Sequence, residues 1–215
     1  MTSSSNEQAD RSERQVVSME WEGKPARAVV VARQYETAAE DLWDAMVNPE
    51  RLKRWFGVVT GDLRLGGRYQ IQGNAEGSIN KCEAPKLLAV TWEMHGGIGW
   101  VNAKLETLED ELTLLTIEHI AHDEKDLLVF WDQFGPGSMG VGWDVSLAGL
   151  ADHLASGEDA FSLDENGWLG TEEGRAFVRA SSDGWVEASI AFGTDAEAAR
   201  RAGGHTFEFF TNMDQ

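Results

Sequence analysis

Six strand-like runs follow one another after Gly57 with no helical segment between them, and this succession constrains the fold more than any other feature of the sequence. Each run is rich in the apolar and β-branched residues that are typical of strands. The runs read DLRL, RYQIQG, GSINKCEA, LLAVTWEM, GWVNAKLETL and ELTLLTIEHI. The connections between them have hairpin length and turn composition, which favours antiparallel neighbours over parallel crossovers. The sequence therefore predicts an antiparallel meander.

A pair of short helices is predicted immediately before this meander. Thr37, with Glu40 three residues later, fits a capping box at the start of the first helix. Asn48 before Pro49 fits the start of the second helix, because proline suits the first helical position, and Gly57 fits a left-handed stop. Apolar residues at i, i+3 and i+4 give the pair one apolar face, so we expect an apolar layer beneath it.

Two further strand-like runs precede the helix pair, VVSMEW and ARAVVVARQY, and one long amphipathic helix follows the meander after a loop over residues 121–142. The apolar residues of that helix recur at i, i+4, i+7 and i+11, and they are Trp143, Leu147, Leu150 and Leu154. The glycine-rich run GPGSMGVG leads into it, and Gly157 marks its end. We expect this helix to lie across a curved sheet while the short pair closes one end, which leaves an apolar space between them.

The chain of 215 residues carries 18 Lys and Arg against 37 Asp and Glu, which gives a formal charge of −19. Such a charge repels phosphate backbones and anionic lipid, so nucleic acid is not expected as a partner. No apolar run approaches the roughly twenty residues of a membrane helix, so membrane insertion is not expected. A single cysteine, Cys82, and a start without an apolar stretch predict a cytoplasmic location.

Four segments, in this order along the chain, resemble the successive signatures of the START-like or SRPBCC superfamily, and within it those of the branch named after the activator of the heat-shock chaperone ATPase. They read VVVARQYETAAEDLWDAMVNPERLKRWF, GDLRLGGRYQI, EAPKLLAVTWE and GPGSMGVGWDVSLAGLADHL. The resemblance implies an α+β helix-grip fold, like that of the Bet v allergens, in which a curved antiparallel sheet wraps around a long C-terminal helix with two short helices. It also implies a deep hydrophobic cavity, which the superfamily uses for lipids, polyketides, hormones and, in a few members, catalysis.

We divide the chain into a disordered tail over residues 1–14, a helix-grip domain over residues 15–156 and a C-terminal helical extension over residues 157–215. In the extension, one helical stripe carries Phe177, Ser181, Trp185, Ala188 and Phe192. Thr194 with Glu197 fits another capping box, and Gly203 with Gly204 is expected to weaken the last helix. Because this hairpin has no core of its own, it must pack on its own domain, over the cavity mouth, or on a second copy in a homodimer.

The candidate ligand site is the aromatic and apolar set expected around the cavity. Its residues are Trp55, Phe56, Tyr69, Trp92, Leu115, Ile117, His119, Trp131, Phe134, Trp143 and Leu147. A large aromatic area is typical of pockets for flat apolar ligands, although ordinary core packing would account for most of these side chains. Strand alternation puts His119 on the face of Leu115 and Ile117, so it is either the polar anchor of the pocket or a satisfied histidine at the sheet edge.

No catalytic residue, cofactor or metal is assigned from the sequence. Neither His95 nor His122 has a recognisable metal-ligand spacing to His119, and the glycine-rich run lacks the Gly-Lys-Ser or Gly-Lys-Thr ending of a phosphate loop. Glu93, Glu118 and His119 could supply an acid and a base, but both glutamates could equally face solvent. The enzyme hypothesis is therefore the weaker one.

Three functional hypotheses of different classes remain. The first is a carrier or sensor that encloses a small hydrophobic molecule beneath the long helix and needs no catalytic set. The second is a co-chaperone-like protein-interaction module, which only the family resemblance implies. The third is an enzyme of the polyketide cyclase or aromatase kind, in which His119 and Tyr69 would be the residues to test. The residues favour binding over catalysis.

Overall fold

The computed structural model describes residue 9 and residues 11–94, 96–157, 159 and 167–212. Within that part of the chain, eight strands form one antiparallel sheet and six α-helices accompany it. The strands are β1 (Glu13–Trp21), β2 (Lys24–Tyr35), β3 (Val59–Gly61), β4 (Arg68–Ile71), β5 (Glu76–Glu83), β6 (Leu87–Met94), β7 (Gly97–Glu109) and β8 (Leu112–His122). The helices are α1 (Ala39–Val47), α2 (Pro49–Leu52), α3 (Lys125–Phe134), α4 (Gly137–Ser156), α5 (Glu172–Phe192) and α6 (Ala196–Thr211), with a 3₁₀ turn at Trp168–Gly170.

The strand order in the sheet is β1-β2-β8-β7-β6-β5-β4-β3, and all neighbouring strands are antiparallel. The predicted antiparallel meander is therefore confirmed, and β1 and β2 extend it through the pairing of β2 with β8. In this register Val31 and Ala103 lie on either side of Ile117. Odd-numbered residues of β2, β8 and β7 thus share one face of the sheet. This is the face that the long helix covers. The curved sheet around one long helix is the α+β helix-grip architecture.

The main core lies between that inner face and the helices α1, α2 and α4. Leu42 on α1, Leu115 on β8 and Leu150 on α4 are at most 1% exposed. Burial of each such side chain is worth about 1.5–3 kcal/mol before entropy is subtracted. The hydroxyl of Tyr35 donates to the backbone carbonyl of Leu147 at 2.9 Å, which ties β2 to the middle of α4. These contacts hold the long helix against the sheet.

The first short helix starts differently from the prediction, whereas the second starts as expected. Ala38 occupies the position before α1 and makes no side-chain cap, while the hydroxyl of Thr37 donates to the carboxylate of Asp41 at 3.1 Å. The capping box of Thr37 with Glu40 is therefore wrong, because the helix begins one residue too late for it. The Asn48 cap is confirmed, since its side-chain oxygen accepts from a backbone N–H at 3.0 Å.

The long helix is confirmed and begins earlier than predicted. Since α4 starts at Gly137, most of the run predicted to lead into it forms its first turns. Gly140 is required there, because an added Cβ would lie 2.0 Å from the indole of Trp185 on α5. The helix ends as predicted at Gly157, which is left-handed with φ of 70°.

Two segments of the predicted secondary structure are wrong. The 121–142 segment is not a loop, because it contains helix α3 and the start of α4. The run DLRL is not a strand, since β3 lies just before it at Val59–Gly61 and residues 62–65 form part of the connection to β4. These two corrections matter for the site. The 62–65 connection borders the space under the long helix, whereas α3 packs against α6.

The C-terminal helices pack on the rest of the same chain, where a buried carboxylate joins them to two other segments. Asp144 of α4 is fully buried, and its Oδ2 accepts from Nε of Arg14 at 2.8 Å, from the Ser181 hydroxyl at 2.5 Å and from Nε1 of Trp185 at 2.9 Å. Phe177, Ser181 and Trp185, on the predicted stripe of α5, are at most 1% exposed. Strand β1, the long helix and α5 therefore meet at one residue.

The last helix differs from its prediction at its first residue. Asp195, rather than Thr194, caps α6, because its carboxylate accepts from two backbone N–H groups at 3.1 and 3.0 Å. The capping box that starts at Thr194 is therefore wrong. Gly203 lies within this helix and allows α5 to approach, since an added Cβ would lie 2.3 Å from the Val186 side chain.

The predicted boundary between tail and domain is also corrected. Strand β1 begins at Glu13, and the side chain of Arg14 is only 9% exposed, so these two residues belong to the sheet rather than to a disordered tail. Residues 1–8 and 10 of the predicted tail, and residues 158, 160–166 and 213–215 of the predicted extension, lie outside the described residues.

Candidate functional site

An apolar cavity of about 170 Å³ lies between the inner face of the sheet, the short helix pair and α4. The helices contribute Met46, Val47, Leu52, Trp143 and Leu147, and the turn after α2 contributes Trp55 and Phe56. The sheet contributes Val59, Tyr69, Ile71, Ile79, Cys82, Leu88, Val90, Trp92, Val101, Ala103, Leu115 and Ile117, and the connection between β3 and β4 contributes Leu63 and Arg64. The most exposed of these residues mark the mouth of the cavity: Leu63 is 37% exposed, the Arg64 side chain is 80% exposed, and the Cys82 residue is exposed.

Eight of the eleven predicted site residues line this cavity, and they are Trp55, Phe56, Tyr69, Trp92, Leu115, Ile117, Trp143 and Leu147. The structure brings them together from four different elements, β4, β6, β8 and α4, and from the turn after α2. Strand alternation explains the placement of Leu115 and Ile117, and the amphipathic pattern of the long helix explains Trp143 and Leu147. The remaining three, His119, Trp131 and Phe134, lie outside the lining.

Trp131 and Phe134 belong to helix α3 and face other parts of the molecule. Trp131 is buried under the guanidinium of Arg27, whose central carbon lies 4.7 Å from the ring centroid. The ring of Phe134 packs against Phe130 at 4.8 Å and against Phe209 of α6 at 5.6 Å between centroids. The prediction placed both residues on a loop at the cavity, and it is wrong because that segment is a helix that packs beside α6.

His119 lies directly behind the cavity wall. Its Nδ1 accepts a hydrogen bond from Nε1 of Trp143 at 3.2 Å, and its ring centroid lies 5.7 Å from that of Trp92. Burial disfavours the charged imidazole and lowers the pKa of His119 to about 4, so the side chain is neutral at pH 7. With Nδ1 accepting, the proton resides on Nε2, which faces Gly99 of the next strand. His119 therefore supports Trp143 and does not reach the cavity.

Aromatic rings form one side of the cavity. Phe56 and Trp143 are nearly parallel, with an interplanar angle of 16° and centroids 6.2 Å apart. Trp92 meets Trp143 at 5.5 Å, and Trp55 meets Phe56 at 5.2 Å. Such tilted and stacked arrangements are favourable between aromatic rings and present flat apolar surface to a ligand.

The polar atoms of Trp55, Tyr69 and Trp143 are engaged by the protein. Nε1 of Trp55 donates to the carbonyl of Ala45 at 3.1 Å, and the Tyr69 hydroxyl donates to the carbonyl of Thr91 at 2.6 Å. Burial also raises the pKa of Tyr69, so its hydroxyl stays protonated. A molecule beside these three side chains therefore meets apolar ring surface rather than an unpaired donor.

Glu93 and Glu118 lie on the opposite face of the sheet. Glu93 accepts two hydrogen bonds from the Arg68 guanidinium, at 3.0 and 3.2 Å, and these bonds hold the pKa of Glu93 below its usual value. Glu118 accepts from Asn102 at 3.1 Å and from Lys104 at 2.5 Å. Since neither carboxylate lines the cavity, neither is placed to act as an acid or base there.

The sequence interpretation missed several lining residues. Leu88 and Val90 alternate with Trp92 on β6, so the period of two along that strand was a sufficient signal for them. Arg64 and Cys82 carried no such signal, because the mouth is formed by a connection and by the irregular end of β5. Among the described residues, no three His, Cys, Asp or Glu side chains form a group that could hold a metal ion. No described helix is both long and apolar enough to cross a membrane.

A sheet wrapped around one long helix, with an apolar cavity between them, defines a helix-grip protein of the SRPBCC class. The chain belongs to the family described as activator of Hsp90 ATPase homolog 1-like protein, whose sequence profile matches residues 36–155. The resemblance drawn from the four sequence segments is thereby confirmed. Comparison with curated protein sequences gives no match.

Solved structures with the same fold include CalU16 from Micromonospora echinospora, which is 28% identical and is matched over 84% of this chain and 96% of its own. The TM-score is 0.62 for its crystal structure and 0.66 for its solution structure. The match covers 84% of the 215 residues, which is more than the 156 residues that precede the C-terminal extension. The similarity therefore includes part of the extension. DynU16, a protein of the dynemicin biosynthetic locus, shares the fold at 20% identity with a TM-score of 0.53, over 62% of this chain and 49% of its own.

Proposed function

We propose that the protein binds a small hydrophobic molecule in this cavity and acts as a carrier or sensor rather than as an enzyme. The observation that carries the proposal is an apolar cavity with an exposed mouth and a wall of aromatic rings, in which the polar atoms of Trp55, Tyr69 and Trp143 are bonded to the protein itself. Binding in such a site depends on shape and on the removal of apolar surface from water.

The size of the cavity supports a ligand of about one ring. An engineered cavity of about 150 Å³ in another protein is known to bind benzene, so a cavity of about 170 Å³ can take a body of similar size. An apolar ligand in this space would remove apolar wall surface from water, which is favourable at roughly 25 cal/mol per Å².

The two other functional hypotheses have less support. A cyclase-like reaction needs a polar group at the ligand, whereas His119 is behind the wall and the Tyr69 hydroxyl donates to a backbone carbonyl. The co-chaperone-like role rests on the family name alone. The homodimer and the cytoplasmic location predicted from the sequence stay predictions.

The decisive experiment is a thermal-melting titration with toluene. A ligand that binds only the folded state raises the melting temperature with its concentration, so we expect a progressive rise for the wild-type protein. Ala103→Leu fills the cavity from β7 and should abolish the rise. Ala89→Leu is the matched control, because Ala89 lies on β6 between two lining residues and points to the other face of the sheet.

The result that contradicts the proposal is a wild-type melting temperature that does not respond to toluene, or a response that survives in Ala103→Leu. A parallel native mass spectrum of protein purified from its own host would detect a molecule that co-purifies. Its mass would then replace toluene as the guide to the ligand.

A further inference from the structure

We infer that the ligand has an apolar body of about one ring and carries a carboxylate-type anionic group, which Arg64 binds at the mouth of the cavity. This inference rests on the proposed function and adds the chemical class of the ligand. It depends on the charge of the lining, on the position of Arg64 and on the limited volume behind it.

The charge of the lining differs from that of the protein as a whole. The chain carries 37 acidic residues against 18 Lys and Arg, yet the described residues that line the cavity include one charged side chain, Arg64, and no carboxylate. A cationic or neutral ligand has no need of such a group. An anionic ligand does, because the net charge of −19 would otherwise oppose its approach.

Arg64 is available for an additional partner. Its Nε donates to Oδ2 of Asp62 at 2.9 Å, and among the described residues this is the one protein hydrogen bond of its guanidinium. The side chains of Arg64 and Asp62 are 80% and 53% exposed, so water screens the pair and the bond between them is weak. A guanidinium has five N–H donors in a planar fork, so its terminal nitrogens can bind a carboxylate while Nε keeps Asp62.

The volume of the cavity determines which part of a ligand reaches Arg64. A space of about 170 Å³ holds a ring-sized body, so any longer ligand must extend through the mouth. There it passes Leu63, which is 37% exposed and precedes Arg64 in the same connection. A ligand that fits this arrangement has a ring in the apolar cavity, a short apolar chain beside Leu63 and an anionic group at Arg64.

The test compares three probes with the same body and different end groups: 4-phenylbutanoate, 4-phenylbutanamide and 4-phenylbutylammonium. Calorimetric titration of the full-length wild-type protein should give the order anion, neutral, cation. Since the charge interaction takes place at an exposed site, we expect the carboxylate to bind about two- to fivefold more tightly than the amide. The preference should shrink when the ionic strength is raised, because salt screens exposed charges.

Three variants assign the preference to Arg64. Arg64→Gln should bind the carboxylate and the amide equally, with the affinity for the amide unchanged. Asp62→Asn should increase the preference, because it removes the carboxylate that shares the guanidinium. Arg68→Gln is the matched control, since it removes one positive charge from a side chain that bonds Glu93 on the opposite face of the sheet, and it should keep the wild-type preference.

Two results would overturn the inference, and they are distinguishable. Equal binding of all three probes by the wild-type protein, or a preference that persists in Arg64→Gln, rejects the anionic ligand and leaves the apolar site intact. Failure of all three probes to bind, together with no response to toluene, rejects the binding proposal itself.

Discussion

The indole N–H of Trp143 donates to Nδ1 of His119 across 3.2 Å, and this bond joins the long helix to β8 immediately behind the cavity wall. The bond needs a neutral imidazole, because a protonated Nδ1 has no lone pair to accept it. The position of Trp143, and with it one wall of the cavity, therefore depends on the protonation state of a residue that does not line the cavity.

This dependence predicts an acid sensitivity that a His119→Gln variant lacks. The pKa of His119 is about 4 in the folded protein and about 6.5 when unfolded, so between these values the unfolded chain binds more protons and stability falls as the pH falls. From pH 7 to pH 5 the wild-type protein should lose about 2 kcal/mol more of its free energy of unfolding than the variant does. Urea denaturation at both pH values measures the difference. Equal losses in the two proteins would contradict the placement of a neutral His119.

Two neighbouring glycines of α6 should respond in opposite ways to alanine. An added Cβ at Gly203 would lie 2.3 Å from Val186, whereas Gly204 has no neighbouring atom within 4 Å of that position. Gly204→Ala should stabilise the protein by up to about 1 kcal/mol through helix propensity. Gly203→Ala should destabilise it by about 1–3 kcal/mol, since overpacking outweighs the same gain in propensity. Thermal melting of both variants decides the matter, and a stabilising Gly203→Ala would show that α5 and α6 are not so closely packed.

The buried carboxylate of Asp144 should be among the least tolerant positions of the chain. Asp144→Asn keeps the shape but leaves the nearly buried guanidinium of Arg14 without its counter-charge, so we expect a loss of about 3–5 kcal/mol. Because Arg14→Met removes that charge as well, the double variant should lose less than the two single variants together. Chemical denaturation of all four proteins gives the coupling energy. Strict additivity would mean that the two residues do not depend on each other.

Cys82 offers a direct report on the mouth of the cavity, since it is the single cysteine of the chain and its residue is exposed. We expect 4-phenylbutanoate to slow the alkylation of its thiol by iodoacetamide, because a molecule at the mouth restricts access. The rate is measured by mass spectrometry at several ligand concentrations. Protection should be lost in Ala103→Leu and kept in Ala89→Leu. An unchanged rate at saturating ligand would place the ligand somewhere else.

Most of the fold was predictable because its signals are local. Period-two runs define the strands, and the apolar spacing from Trp143 to Leu154 defines the long helix. The cap positions were less secure, since Thr37 stands next to Ala38 and Thr194 next to Asp195. In each case the helix began one residue later than the pattern suggested. Neighbouring residues compete for a cap, and tertiary packing decides between them.

The site was predictable only where an element presents one face to the core. Alternation accounts for Leu115 and Ile117 and helical spacing for Trp143 and Leu147. Trp131 and Phe134 were misplaced because the helix that carries them was not recognised. The bond between Arg14 and Asp144 joins residues 130 positions apart, and no local sequence pattern predicts it. Arg64 was missed for a similar reason, since a connection between strands has no period from which its direction follows.

The meeting of three segments at Asp144 has a consequence for the order in which the protein can fold during synthesis. A ribosome makes the amino end first, so Arg14 is already available when Asp144 emerges. The other two donors, Ser181 and Trp185, follow 37 and 41 residues later. Until then the carboxylate has one of its three donors, and the side of the long helix that α5 covers is open to water. The nascent chain therefore passes through a stage in which the sheet and the cavity can form before Ser181 and Trp185 have been synthesised. During that stage the carboxylate of Asp144 lacks two of its three hydrogen-bond donors.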